Sequence, residues 1–180
     1  TEDVSLNQCY VMTAYNCCSV KEDWVDLCAL SHCINLGCRC LDFEIFEHNN
    51  KPVVGTTSMK NGIRRDSYNY IKLSKVISKI IKEAFSSQYT TLDNDPLIVN
   101  LRIKVTTKKF YDKVAYDISM GTPSIYKNSN IDGNELMTEL SGIIYMSSDI
   151  DKKRYNNSII KEHLNLIGER APANLSRNYC

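Results

Sequence analysis

Charge imbalance is the first thing this sequence lacks. Its 22 Lys and Arg stand against 21 Asp and Glu, leaving a formal charge of +1. No global field therefore recruits nucleic acid or an anionic surface. Apolar residues never run unbroken for the ~18 positions that a bilayer crossing requires, so no membrane span is expected. Histidine is scarce, with three copies, and none is spaced as a zinc ligand. The eight cysteines contain no Cys-x-x-Cys pair, which removes the common zinc frameworks. The start, Thr1-Glu2-Asp3-Val4, is neither a signal peptide nor an initiator-methionine start, so a processed or partial product is expected.

What is present is ordinary for one globular domain. The chain has 180 residues, 43% of them hydrophobic and 24% charged, enough for one core. We expect residues 1–180 to form one domain. Cys17 and Cys18 are adjacent, Cys38 and Cys40 are two apart, and Cys28 and Cys33 fall in an apolar, helix-like run. Free thiols there behave as small hydrophobes. The expectation is reduced, mostly buried thiols in an intracellular, cytoplasmic protein rather than a secreted disulfide scaffold.

The most informative stretch is Gly37-Cys38-Arg39-Cys40-Leu41-Asp42-Phe43-Glu44-Ile45. On a strand, residues two apart share a face. Cys38, Cys40, Asp42 and Glu44 then point one way, and Arg39, Leu41, Phe43 and Ile45 the other. Two carboxylates side by side at a strand's end suit a hard cation or acid–base work. Two solvated acids are the plainer alternative.

Gln8 to Thr13 reads as a short buried strand. Residues from Lys21 to Asn35 read as a helix with Trp24, Leu27, Cys28 and Leu30 near its apolar side, ended by Gly37. A strand over Cys38–Phe46 comes next, then a polar turn through Glu47–Lys51 and a return strand at Pro52–Val54. Lys60 to Tyr70 reads as a loop. Leu73, Val76, Ile77, Ile80, Ile81, Ala84 and Phe85 repeat at three and four, the pattern of an amphipathic helix. Pro96 to Ile103 fits a strand buried on both faces. A short helix over Lys108–Asp117, a strand over Gly142–Met146 and a late helix over Ile159–Ile167 complete the pattern, and Lys152–Arg154 reads as a solvated linker. Strands alternating with helices imply parallel α/β architecture. A complete eight-fold barrel takes about 250 residues, so this chain supplies its first half and the start of its second half.

The order of these segments resembles the catalytic barrel of phosphoinositide-specific phospholipases C, chiefly its X region. Gly37-Cys38-Arg39-Cys40 with its trailing alternate acids is similar to the family's GCRCVELD. Pro52-Val53-Val54-Gly55-Thr56 falls at its PVVYHGHT-like segment, and Ile71–Phe85 at the family's next helix. Pro96–Arg102 is similar to PVILSLE, Leu140–Ile144 to the strand beginning LKGKIL, and Leu175–Tyr179 to LSRIYP. The resemblance runs from about Tyr10 to Tyr179. It implies a TIM-barrel-like phosphodiesterase fold, incomplete at the C-terminus. Calcium, if the site is active, would be held by carboxylates and an asparagine, with two histidines as acid and base.

The chain departs from that pattern at the chemistry. The first-strand motif SSHN becomes Thr13-Ala14-Tyr15-Asn16, so Tyr15 stands at the first histidine position while Asn16 keeps the ligand asparagine. Thr56 stands at the second histidine position. Asp42 and Glu44 exchange the family's two acids, and Arg102 replaces the third metal carboxylate. The phosphate-gripping lysines fall at Ser147 and Asp149, and only Arg177 and Tyr179 match the substrate contacts. Arg102 shares a strand face with Asn100 and Lys104, where a guanidinium would pair with Asp42 or Glu44 and oppose calcium. The resulting expectation is a catalytically inactive module, with no metal, acting as a structural or interaction element. Its partners would be other proteins or a missing C-terminal half. Composition rich in Asn, Ile, Lys and Tyr suggests a large viral particle as its setting. One alternative is an active phosphodiester hydrolase using Asp42, Glu44, Tyr15 and Arg102 with His32, His48 or His163. A second is a lipid head-group binder that uses Arg177 and Tyr179.

Overall fold

In a computed structural model the described residues are 4–121, 133–149 and 157–167. Arg177, Tyr179 and the Lys152–Arg154 run lie outside them. The strands are β1 (Thr13–Ala14), β2 (Cys40–His48), β3 (Lys51–Gly55), β4 (Thr57–Lys60), β5 (Ile63–Asp66), β6 (Ile71–Lys72), β7 (Leu97–Ile103), β8 (Ile144–Ser148) and β9 (Leu166–Ile167). The α-helices are α1 (Leu27–Asn35), α2 (Leu73–Glu83) and α3 (Lys108–Gly121). The main sheet runs β6-β3-β2-β7-β8-β9, and β1 pairs with the start of β2. β1, β2, β7, β8 and β9 are parallel, while β3 and β6 run antiparallel.

This is a mixed α/β sheet, and it does not close among the described residues. The expected half barrel is therefore seen as an open run of five parallel strands, with α1, α2 and α3 in the connections. Helices cover one face. Leu41, Phe43 and Ile45 of β2 and Leu97, Val99 and Leu101 of β7 pack with Leu30 and Ile34, with Val76, Ile77 and Ile80, and with Phe110, Tyr111 and Val114. Each fully buried large aliphatic or aromatic side chain there contributes roughly 1.5–3 kcal/mol. β7 alternates between buried and half-buried positions, which corrects the expectation of burial on both faces. Its second face carries Asn100 and Arg102 and needs room for polar groups.

Several boundaries move for local reasons. The expected strand over Gln8–Thr13 is a 3-10 turn at Leu6–Gln8 and then the two residues of β1. The expected helix from Lys21 starts only at Leu27, because Asp23 takes a left-handed φ of 61° and Asp26 caps the later start by accepting from the Cys28 N–H at 2.6 Å. Trp24 instead stacks on Tyr68, and Cys28 is exposed. Gly37, at φ 90°, ends α1 as expected. Its N–H reaches the Ile34 carbonyl and that of Cys38 reaches Cys33, the paired bonds of a Schellman cap. The expected loop from Lys60 contains a hairpin, β4–β5, which turns through Asn61 and Gly62 at φ 53° and 75°. The expected late helix is a short 3-10 stretch, Ile159–His163, leading into β9.

Candidate functional site

Period-two geometry places Asp42 and Glu44 on the face of β2 away from the helices. Both are buried, at 5% and 4% exposure. β7 lies alongside in parallel register, with Asp42 opposite Asn100 and Glu44 opposite Arg102. Arg102 therefore rises between two carboxylates. Its Nε donates to both Asp42 oxygens at 3.0 Å, Nη2 to Asp42 Oδ1 at 2.7 Å, and Nη1 to Glu44 Oε1 at 2.8 Å. The turn after β1 closes the ring: Asn16, at φ 49°, accepts from Nη2 through Oδ1 at 2.5 Å. Tyr15 lies over the charge, its ring centroid 4.2 Å from Arg102 Cζ.

The remaining carboxylate oxygens are occupied too. Asn100 Nδ2 donates to Asp42 Oδ2 at 2.7 Å, and the Asn16 N–H to Asp42 Oδ1 at 3.3 Å. Lys104 Nζ reaches Glu44 Oε1 at 3.1 Å, and the Thr57 N–H donates to Glu44 Oε2 at 2.6 Å. Thr56, one residue earlier, is buried against Ser67, whose hydroxyl accepts from its N–H. Burial alone would pull the Arg102 guanidinium down, but hydrogen bonds and charge from Asp42, with Glu44, hold it above its ordinary value. Two unit charges ~4 Å apart attract by about 4 kcal/mol at an effective dielectric near 20.

The structure thus brings together Tyr15, Asn16, Asp42, Glu44 and Arg102, with Thr56 at the edge. It does not bring in a histidine. His32 is exposed on α1, His48 stacks on Tyr70 at the far end of β2, and His163 sits in the late 3-10 stretch. None is a hydrogen-bond partner of Asp42, Glu44 or Arg102 among the described residues. Among the described residues no group of three or more His, Cys, Asp or Glu could hold a metal ion. Ser147 lies opposite Asn100 on β8, and Asp149 Oδ1 accepts from the Ile103 N–H at 3.0 Å.

Two contributors are hidden from the sequence. Strand alternation puts Lys104 on the correct face but names no partner for it, and the Thr57 backbone carries no side-chain signal. Arg39, which the sequence places on a packing face, is 4% exposed and serves structure. Nη1 donates to the Ala84 carbonyl at 2.7 Å and Nε to Pro96 at 3.3 Å, Nη2 bonds the Asp95 carbonyl, and the guanidinium lies over Phe85. It ties β2 to the end of α2 and to the loop before β7.

No protein-family model matches the chain, and no curated protein matches it. Solved structures do. The crystal structures of S. officinalis PLC21 and L. pealei PLC21 each align with a TM-score of 0.64 and 14% identity over 82% of this chain. The chain spans 19% of the length of each. The fold is phospholipase C-like.

Proposed function

We propose that this chain is a catalytically inactive phospholipase C-like domain, corresponding to the X region, that serves as a structural or interaction module. One observation carries the reading: Arg102 fills the space between Asp42, Glu44 and Asn16 with a permanent cation. A calcium ion needs six to eight oxygens, several of them anionic. Here the two carboxylates are already shared among Arg102, Asn100, Lys104 and two backbone N–H groups, so these residues do not fit the ion. Tyr15 has its ring face committed to Arg102.

An interaction role is supported at the opposite end of the same sheet face. A cavity of about 300 Å³ there is lined by Leu6, Met12, Leu36, Leu92, Ile98 and Tyr145, among others. Met12 and Leu36 are more than half exposed. Such an apolar rim suits a protein partner, and a large viral particle is one setting in which it would be covered.

The test is turnover. Purified protein is incubated with phosphatidylinositol vesicles with and without millimolar calcium, and inositol phosphate release is followed. No release above a blank is expected. Calcium-dependent release that disappears in Asp42→Asn would overturn the proposal in favour of a rearranged phosphodiesterase.

A further inference from the structure

The outer face of α2 carries charge of one sign. Leu73, Val76, Ile77 and Ile80 turn to the core, which leaves Lys75, Ser78 and Lys82 exposed and Lys79 half-buried. Lys72, just before the helix, extends the row. The acid in this span is Glu83, which is 2% exposed and has its Oε1 taken by Lys79 Nζ at 2.8 Å. Among the described residues Lys72, Lys75 and Lys82 have no carboxylate partner.

A solvated helix face ordinarily interleaves acids with its lysines. α3 follows that habit: Lys108 meets Asp112 at 3.4 Å, and Lys113 reaches Glu47 at 3.0 Å. α2 does not, although the chain as a whole carries only +1. The row also borders a groove of about 350 Å³, lined by Leu27, Ser74, Lys75, Ser78, Lys79 and Lys82, where the start of α1 lies beside α2.

We propose that this face docks an acidic helix of a partner protein. The lysines fall at i, i+3, i+7 and i+10, about 4.5, 6 and 4.5 Å apart along the axis at ~1.5 Å per residue. A partner helix with Glu or Asp at the same spacing sets a carboxylate opposite each position, and the 3-4-3 order reads the same in either direction. An extended acidic strand repeats every ~6.8 Å on one face and is out of step from the second lysine on. Acids on both sides keep the row narrow. Asp26, at the start of α1, lies near enough to feel the Lys79 charge, and the Asp117 carboxyl on α3 accepts from the Ser74 N–H. A bilayer or a nucleic-acid duplex is broad and would press phosphates against those carboxylates, whereas one helix packed along another avoids that cost. α2 lies on the helix-covered side of the sheet, away from Asp42, Glu44 and Arg102, so this surface stands whether or not that site turns over substrate.

The test uses a fluorescein-labelled helical peptide of about five turns, with Glu at i, i+3, i+7 and i+10 on an Ala and Gln background. Its partner control has the same composition with the four Glu spread around the helix. Anisotropy at low salt should show the patterned peptide binding about tenfold tighter than the control, and added NaCl should weaken it. Lys75→Glu with Lys82→Glu should weaken binding by about tenfold or more, while Lys60→Glu and Lys109→Glu, outside the row, should leave it unchanged. Circular dichroism confirms that the variants fold. Carbodiimide crosslinking of the peptide to the unmutated chain should map to Lys72, Lys75 or Lys82. No binding, equal binding of the two peptides, crosslinks confined to other lysines, indifference to the Lys75 and Lys82 changes, or tighter binding of anionic vesicles or duplex RNA would each overturn the proposal.

Discussion

Arg102 and Asp42 face each other across two parallel strands in a two-point ion pair. Nε lies 3.0 Å from both carboxylate oxygens and Nη2 lies 2.7 Å from one of them. This fork matches carboxylate geometry in a way no ammonium can. It also means that each group's burial depends on the other. Removing the cation leaves Asp42 and Glu44 buried without it, whereas the intact cluster is close to neutral in net cost.

Arg102→Ala should therefore lower stability by about 3–5 kcal/mol, because two carboxylates lose their partner in a buried setting. Arg102→Lys should recover part of that loss through charge alone. Urea denaturation at neutral pH reads both values. A loss under ~1 kcal/mol for Arg102→Ala would show that water or Lys104 takes over the compensation.

Arg102→Glu inverts the charge in the same space. Asn16 Oδ1, Asp42, Glu44 and the new carboxylate would then offer a hard cation several oxygens. The variant should melt well below the parent without divalent ions, since like charges crowd the site. Millimolar calcium should raise its melting temperature while leaving the parent unchanged. A calcium-dependent rise in the parent itself would show that the ion competes with the guanidinium.

Much of this site is legible in the sequence because it rests on strand period. Alternation alone puts Asp42 with Glu44, and Asn100 with Arg102 and Lys104, and neighbouring strands then bring the two sets together. The illegible part depends on turns. Tyr15 covers Arg102 only because the chain bends back through Asn16 at a left-handed φ. The β4–β5 hairpin is legible in principle, since Asn61-Gly62 is a strong type I′ signal. Its flanks are polar and exposed rather than alternating, and that masks it. The start of α1 is obscured because apolar spacing continues upstream of the Asp26 cap.

Gly55 ends β3 where the chain passes against Ser67 and Tyr70. A Cβ built there would sit 2.8 Å from Ser67 Oγ and 2.9 Å from the Tyr70 ring. Ser67 cannot move freely, because its hydroxyl accepts from the Thr56 N–H and donates to the Asn69 carbonyl. Gly55→Ala should cost about 1–3 kcal/mol, typical of forced overpacking. Thermal melting compared with Gly142→Ala checks it, since a Cβ at Gly142 meets nothing within 4 Å and that variant should lose only what its positive φ demands. Gly55 is not among the positive-φ glycines, so a loss at Gly55 under ~0.5 kcal/mol would show that Ser67 and Tyr70 give way to the added methyl.

Asp112 on α3 holds the start of the Ile159–His163 stretch. Its Oδ1 accepts from the Ser158 hydroxyl at 2.6 Å and from the Ile159 N–H at 3.2 Å. The Ser158 bond, then the Ile159 N–H and Lys108, hold its carboxyl below the ordinary range. A carboxyl depressed on folding stabilises fully above its unfolded pKa of ~3.9, and that stabilisation disappears as pH falls through the folded value. Asp112→Ala should therefore be less stable than the parent at pH 7, and the gap should narrow as acid is added below about pH 4. Hydrogen exchange of the Ile159 and Ile160 amides should show the same pattern, with faster exchange in the variant at neutral pH and convergence in acid. A gap that stays constant from neutral pH into acid would mean that Asp112 acts through packing, with no contribution from its charge.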